Sequence, residues 1–239
     1  TNKFFLDKKT LKYLYSDMKD NVHANDDLKN DIKTKTGYLN QIHNILNVQN
    51  KKLKVLEIGA DNGTFLKLIN KTNSLIKSSA IEPNKRMHKK LRSFAQKIYL
   101  DIKKIPKKEK YDLIIAIHVF DHIPELLINL KILKNKLNKG GFIYGVVHDE
   151  KSIMAKILGN RWPAYCLQHP HLFNHSSIHT LLYKKLKLKK QFIKKTVNFF
   201  NLGFLIQHLF IAVFKTKLYS PSFFSIGLRL GNFSFLYKK

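Results

Sequence analysis

Apolar residues follow two rhythms along this chain. Between Lys54 and Val147, short continuous apolar runs alternate with stretches of helical period. Lys54–Ile58, Ser78–Ile81, Lys97–Leu100, Leu113–Val119 and Phe142–Val147 read as strands. Gly63–Lys71, Asn84–Ala95 and Glu125–Leu137 read as helices, and Asn138-Lys139-Gly140-Gly141 as the turn into the last of these strands. Strands that are apolar throughout are buried on both faces, which requires a parallel sheet covered by helices on either side. Right-handed crossovers then gather the C-terminal strand ends, and with them any ligand site, at one edge. The predicted class is α/β.

The flanks are patterned differently. Residues 1–50 form a polar, helix-compatible segment with apolar marks at Leu11, Leu14, Tyr15 and Met18. A second set, Tyr38, Leu39, Ile42, Ile45 and Leu46, has the spacing of an amphipathic helix. After the 51–149 core the alternation stops. Within 150–239, a mixed His- and aromatic-rich stretch leads to a sixth strand at Lys187–Val197 and a final one at Ile226–Tyr237. Between them Asn198–Phe214 is almost entirely apolar and reads as a helical insertion. Asn201, Gly203, Gln207 and His208 interrupt it, which makes it too polar for a spanning helix and leaves a peripheral membrane contact as its other reading. The three segments read as a single domain.

Candidate chemistry concentrates at the first strand. It runs through Glu57 into the turn Gly59-Ala60-Asp61-Asn62-Gly63, and a second strand ends at Glu82, 23 residues beyond Gly59. Glycines let backbone approach a ligand closely, and an acid beyond the second strand can take both hydroxyls of a ribose. The pattern describes a nucleoside-type cofactor across the sheet edge. A dinucleotide fingerprint is excluded, because the turn offers Gly59-x-x-x-Gly63 and no G-x-G-x-x-G. No Gly-Lys-Ser/Thr of a phosphate-binding loop follows either.

Charge adds a second question. The 44 Lys+Arg against 16 Asp+Glu give a formal +28, which suits nucleic acid, an anionic membrane or an anionic substrate. Only Arg86, Arg92, Arg161 and Arg229 are arginines, however, and bidentate phosphate recognition favours arginine. A solvated lysine surface is the simpler reading. Cys166 is the lone cysteine, so neither an intrachain disulfide nor a cysteine metal cluster is expected. Thr1 to Asn50 lacks an apolar signal region, and a reducing, cytoplasmic setting is expected.

Val55-Leu56-Glu57-Ile58-Gly59-Ala60-Asp61-Asn62-Gly63 resembles the first motif of class I S-adenosylmethionine-dependent methyltransferases. Glu82, Asp101 in Tyr99-Leu100-Asp101-Ile102, and the fourth-strand run from Tyr111 through His118, Asp121 and His122 to Pro124 extend the likeness. So does Leu137-Asn138-Lys139-Gly140-Gly141-Phe142-Ile143. The resemblance implies S-adenosyl-L-methionine as cofactor, bound by Glu57, Gly59, Asp61, Gly63, Glu82, Asp101 and His118. The glycine turn would lie beneath the methionine part, Glu82 on the ribose and Asp101 beside the adenine. It implies a Rossmann-like seven-stranded sheet, mostly parallel with its last strand antiparallel, helices on both faces and a substrate cap.

The cap segment, Gly159-Asn160-Arg161-Trp162-Pro163-Ala164-Tyr165 and Gln168-His169-Pro170-His171-Leu172-Phe173-Asn174, is similar to a bacterial subgroup acting on small molecules. Its acceptors are quinone, sugar and surface-polysaccharide intermediates, methylated on oxygen or carbon. For a hydroxyl acceptor a general base is needed, and His148, His169 and His171 are the candidates, with Asp149 beside them. His122 is read as ordering its loop, Asn174 as a helix N-cap, and Trp162 and Tyr165 as either substrate walls or packing. The histidines have no zinc-site spacing, so no metal is expected. One position departs from the family: Asp61 stands where the turn usually has a glycine, and Asp is among the residues that tolerate left-handed backbone. Two other functions fit the charge: a methyltransferase-like protein that binds RNA or an anionic membrane without methyl transfer, and an RNA methyltransferase. The second lacks an Asn-Pro-Pro-Tyr signature and a separate RNA-binding module.

Overall fold

The computed structural model describes residues 10, 25–49, 51–166, 168–203, 205–207 and 224–239. Leu11, Leu14, Tyr15 and Met18 lie outside the described residues. The second apolar set forms α1 (Asn25–Leu46), whose Tyr38, Leu39, Ile42 and Leu46 are buried.

Five parallel strands follow: β1 (Lys54–Ile58), β2 (Lys77–Ile81), β3 (Lys97–Tyr99), β4 (Tyr111–Ile117) and β5 (Leu137–His148). Helix α2 (Thr64–Thr72) lies between β1 and β2, and α3 (His88–Leu91) between β2 and β3. Helix α4 (Leu126–Lys136) precedes β5, and the short α5 (Ile153–Leu158) and α6 (His175–His179) follow it. Then come β6 (Lys189–Lys195), β7 (Asn198–Asn201), β8 (Ser225–Leu228) and β9 (Asn232–Lys238). The main sheet has seven strands in the order β3-β2-β1-β4-β5-β9-β6, and β9 runs antiparallel to both neighbours.

The continuous apolar runs are explained by two cores, one on each face. Alternate residues point opposite ways along a strand. Ile114 and Ala116 of β4 pack with Leu130 and Leu133 of α4, whereas Leu113 and Ile115 pack with Ile42 of α1 and Phe65 and Ile69 of α2. Fully burying a Leu, Ile or Phe side chain is worth about 1.5–3 kcal/mol, so both faces contribute to holding β4 at the centre.

Four expectations need correction. Asn198–Phe214 does not begin as a helix: Asn198–Asn201 is a strand paired with β8. The Asn198 side chain accepts from the Tyr38 hydroxyl at 2.8 Å, and the Phe199 N–H donates to Thr34 Oγ1 at 2.8 Å, which fixes the segment extended against α1. Residues 204 and 208–214 of that expectation lie outside the described residues. Ile226–Tyr237 is two strands, broken where Gly231 takes φ 127°. The predicted turn at Asn138–Gly141 lies inside β5, with Gly140 at φ 77° beside a register shift against β4. The helix expected over Asn84–Ala95 shrinks to a 3-10 turn at Lys85–Met87 followed by α3.

The lysines have a place in this architecture. β6 is an edge strand, and Lys189, Lys190, Lys194 and Lys195 on it are exposed. Charged side chains on an edge keep its unpaired backbone groups from recruiting another strand. Among the described residues, no helix is long and apolar enough to cross a membrane.

Candidate functional site

The turn after β1 is built from alternating left-handed residues: Gly59 at φ 64°, Asp61 at 47° and Gly63 at 77°. The Cβ that Gly59 lacks would stand 2.6 Å from Val119 Cγ2, and that of Gly63 would stand 2.8 Å from Phe94 Cδ2. These glycines therefore meet two demands together, positive φ and close packing against the neighbouring loops. Asp61 takes the left-handed conformation with its side chain exposed, so the turn forms without the expected glycine. Asn62 closes it by accepting from the N–H of Thr64, the first residue of α2, at 2.9 Å.

Glu82 ties this turn to the one after β2. Its two carboxylate oxygens accept from the Asp61 N–H and the Asn84 N–H, each at 2.8 Å. Its backbone N–H donates to Tyr99 O at the end of β3. Burial pushes the Glu82 carboxyl up, against the two backbone donors that hold it down. Glu57 is buried to 3% exposure on β1, and its Oε2 has no hydrogen-bond partner. Burial lifts it to about 8, despite the opposing charge of Lys35 on α1. Asp101 stands exposed beyond β3, and its Oδ1 accepts from the Lys103 N–H at 2.8 Å, capping the next turn.

Beyond β4 and β5 the character changes. His118 follows β4 in left-handed backbone, φ 53°, an uncommon state for a non-glycine residue. Its N–H donates to Val146 O, while its Nδ1 is buried without a partner. Burial, then the nearby His148, brings His118 down to about 3. His148 closes β5, and its Nδ1–H donates to Oδ2 of the fully buried Asp121 at 2.5 Å. Burial alone would raise Asp121, but the hydrogen bond and charge of His148 prevail and hold its carboxyl well below the usual range. A carboxylate on Nδ1–H leaves the lone pair of His148 on Nε2.

The cap brings further imidazoles in. The His169 ring centroid lies 5.0 Å from that of His148 and 4.4 Å from that of His122. His169 Nδ1–H donates to Ala164 O, and His122 Nδ1–H donates to Gln168 O, which ties the β4 loop to the cap. Trp162 is buried with its ring edge-on to His148 at 6.2 Å, and the exposed Tyr165 packs on Trp162. His171 joins Asp121 through its backbone, its N–H donating to Asp121 O at 3.3 Å, while its ring packs on Phe173 and its Nε2–H donates to Ile123 O. Asp149 is also engaged elsewhere, accepting from the Lys151 N–H. Asn174 caps α6 with a full capping box.

Of the predicted site residues, the structure groups Glu57, Gly59, Asp61, Gly63 and Glu82 around one pair of turns, and His118, His148 and His169 around another. The fourth-strand motif by itself assigns Asp121 no role. Its signal was a carboxylate three residues after His118, in a loop flanked by apolar residues that would bury it.

A family model described as a methyltransferase domain matches residues 31–185. Among solved structures, the magnesium protoporphyrin IX methyltransferase of Synechocystis PCC 6803, with bound S-adenosylhomocysteine, is similar at 11% identity. It covers 98% of this chain and 100% of its own, with a TM-score of 0.62. The plantazolicin methyltransferase BpumL, with a desmethyl substrate analogue and S-adenosylhomocysteine, shares 19% identity over 96% and 97% of the two chains, with a TM-score of 0.59. A putative sarcosine dimethylglycine methyltransferase from Galdieria sulphuraria shares 13% identity over 89% and 87%, with a TM-score of 0.60. No curated protein matches this chain in sequence.

Proposed function

The chain belongs to the methyltransferase-domain family, and we propose that it carries a methyl group from S-adenosylmethionine to a hydroxyl of a small-molecule acceptor. The observation that carries this reading is the pair of buried acids around the left-handed turn. Glu82 offers the remaining lone pairs of two oxygens already aligned by backbone donors, which suits a ribose diol. Glu57 presents a buried oxygen without a partner, which suits an ammonium such as that of the cofactor's methionine part. The residues present therefore fit the cofactor. Gly59, Asp61 and Gly63 shape the turn between these acids, and His118 borders it from β4. Asp101 would contribute only from the exposed rim beyond β3.

When bound, S-adenosylmethionine supplies a methyl group on a sulfonium, already a strong electrophile. The chain's own work is then to orient the acceptor and remove its proton. His148 is the base: Asp121 holds its Nδ1–H, leaves the lone pair on Nε2 and steadies the imidazolium once the proton arrives. His169 stands beside it with Nδ1 engaged, ready to hold the acceptor by hydrogen bond. Trp162 and Tyr165 wall the acceptor side. A small acceptor is in keeping with the magnesium protoporphyrin IX and plantazolicin named for the related structures. Quinone and sugar hydroxyls are the first to test, on the likeness of the cap segment.

Glu82→Ala should lower the affinity for S-adenosylhomocysteine about 100-fold, because two charge-assisted hydrogen bonds of about 1.5 kcal/mol each are lost. Titration calorimetry reads this directly. An unchanged affinity would remove the cofactor from this turn.

A further inference from the structure

We infer that His118, Asp121 and His148 form a binding site for one divalent first-row transition-metal ion. Each of the three offers one ligand atom, and these atoms lie within 4.8 Å of one another. Two neutral imidazoles and a carboxylate form a donor set that suits Zn²⁺, Fe²⁺ and their neighbours and is too nitrogen-rich for Mg²⁺ or Ca²⁺.

Two observations point to an ion. His118 Nδ1 and Asp121 Oδ1 are both buried and lack a hydrogen-bond partner. Two orphaned polar atoms in one loop are costly, and a single cation would satisfy both. His118 is also held in left-handed backbone, a strain that clusters at functional sites.

The geometry needs modest adjustment. Ligands at about 2.1 Å from an ion stand roughly 3–4 Å apart, so the widest pair, at up to 4.8 Å, must close by about 1–2 Å. His169 is the next imidazole along and, with Nδ1–H given to Ala164 O, keeps a lone pair on Nε2 for a further position. The inference goes beyond the base assignment and competes with it. An ion held by His118, Asp121 and His148 would replace the hydrogen bond between Asp121 and His148 and would supply Lewis-acid polarisation of a hydroxyl acceptor.

The test uses the whole chain, stripped with a chelator and titrated with Zn²⁺ by calorimetry. One equivalent should bind, and Co²⁺ in its place should give visible d–d bands. His118→Ala and Asp121→Asn should each weaken Zn²⁺ binding at least about tenfold, whereas His43→Ala on α1 should not. Circular dichroism verifies folding, and His148→Gln replaces either variant that fails to fold. No stoichiometric uptake by the unmodified chain, or uptake unaffected by these substitutions, overturns the site. S-adenosylhomocysteine titrated into the same samples separates the two readings. Product binding without Zn²⁺ binding removes only the metal site, and Zn²⁺ binding through these side chains without product binding removes only the cofactor reading.

Discussion

The turns after β1 and β2 and those after β4 and β5 share one edge of the sheet but hold opposite kinds of titratable group. The first pair is lined by Glu57 and Glu82, the second by His118, His122, His148 and His169. The same physics acts on both, since burial disfavours whichever form is charged. It lifts Glu57 to about 8 and brings His118 down to about 3, so both stand neutral at pH 7. Asp121 is the exception. Fully buried, it stays ionised because His148 donates to it directly. One half thus holds two buried carboxyl groups beside a left-handed turn. The other gathers imidazoles around a single fixed negative charge.

The comparison breaks most visibly in the imidazole half. His148→Ala should lower methyl transfer to a hydroxyl acceptor about 10²–10⁴-fold, the usual worth of a positioned base. The rate is read as formation of S-adenosylhomocysteine. A rate within a few-fold of the unmodified chain would move the base elsewhere or point to an acceptor that needs none.

The carboxyl half makes a stability prediction. The folded pKa of Glu57 lies above its ordinary value of 4.5, so its contribution is fully present below about pH 4.5 and is lost as pH rises through about 8. Relative to Glu57→Gln, the unmodified chain should therefore lose stability between pH 5 and pH 8, by the equivalent of about 3–4 kcal/mol, while the held-down imidazole of His118 acts in the opposite direction in both proteins up to about pH 6.5. In Glu57→Gln that part of the slope should vanish. Parallel pH profiles for the two proteins would mean that Glu57 is already ionised in the fold. Added S-adenosylhomocysteine should also flatten the unmodified profile, since an ammonium beside Glu57 favours its anion.

The smallest effect sharpens the contrast. Asp61 adds negative charge beside both acids and raises each of them. Asp61→Gly keeps the left-handed conformation at no steric cost and removes that charge. Affinity for S-adenosylhomocysteine should rise about two- to fivefold at low salt, and the gain should fade as salt screens the exposed carboxylate. A loss of affinity would instead show that Asp61 contacts the cofactor.

Much of the fold was legible from local patterns. Period-2 and period-3.6 runs report burial directly, and the five parallel strands fell close to their predicted places. The errors arose where a local pattern has two outcomes. Asn198–Asn201 is apolar and aromatic enough for helix or strand, and contacts from Thr34 and Tyr38, more than 150 residues away in sequence, chose the strand. Gly231 broke a run that reads as one strand, because only the packed structure requires φ 127° there.

The site divides in the same way. The sequence by itself determined the strand–turn–helix with Glu57, Gly59 and Gly63, and the acid at Glu82, because these lie on one short connection whose geometry is set locally. It did not determine that Asp121 would meet His148 across 27 residues, that His118 would stand against His148, or that His169 would come in and the His171 ring stay out. Those meetings depend on the register of β5 on β4 and on the seating of the cap over their ends. Register and seating are set by the packing of the whole sheet, which no single segment encodes.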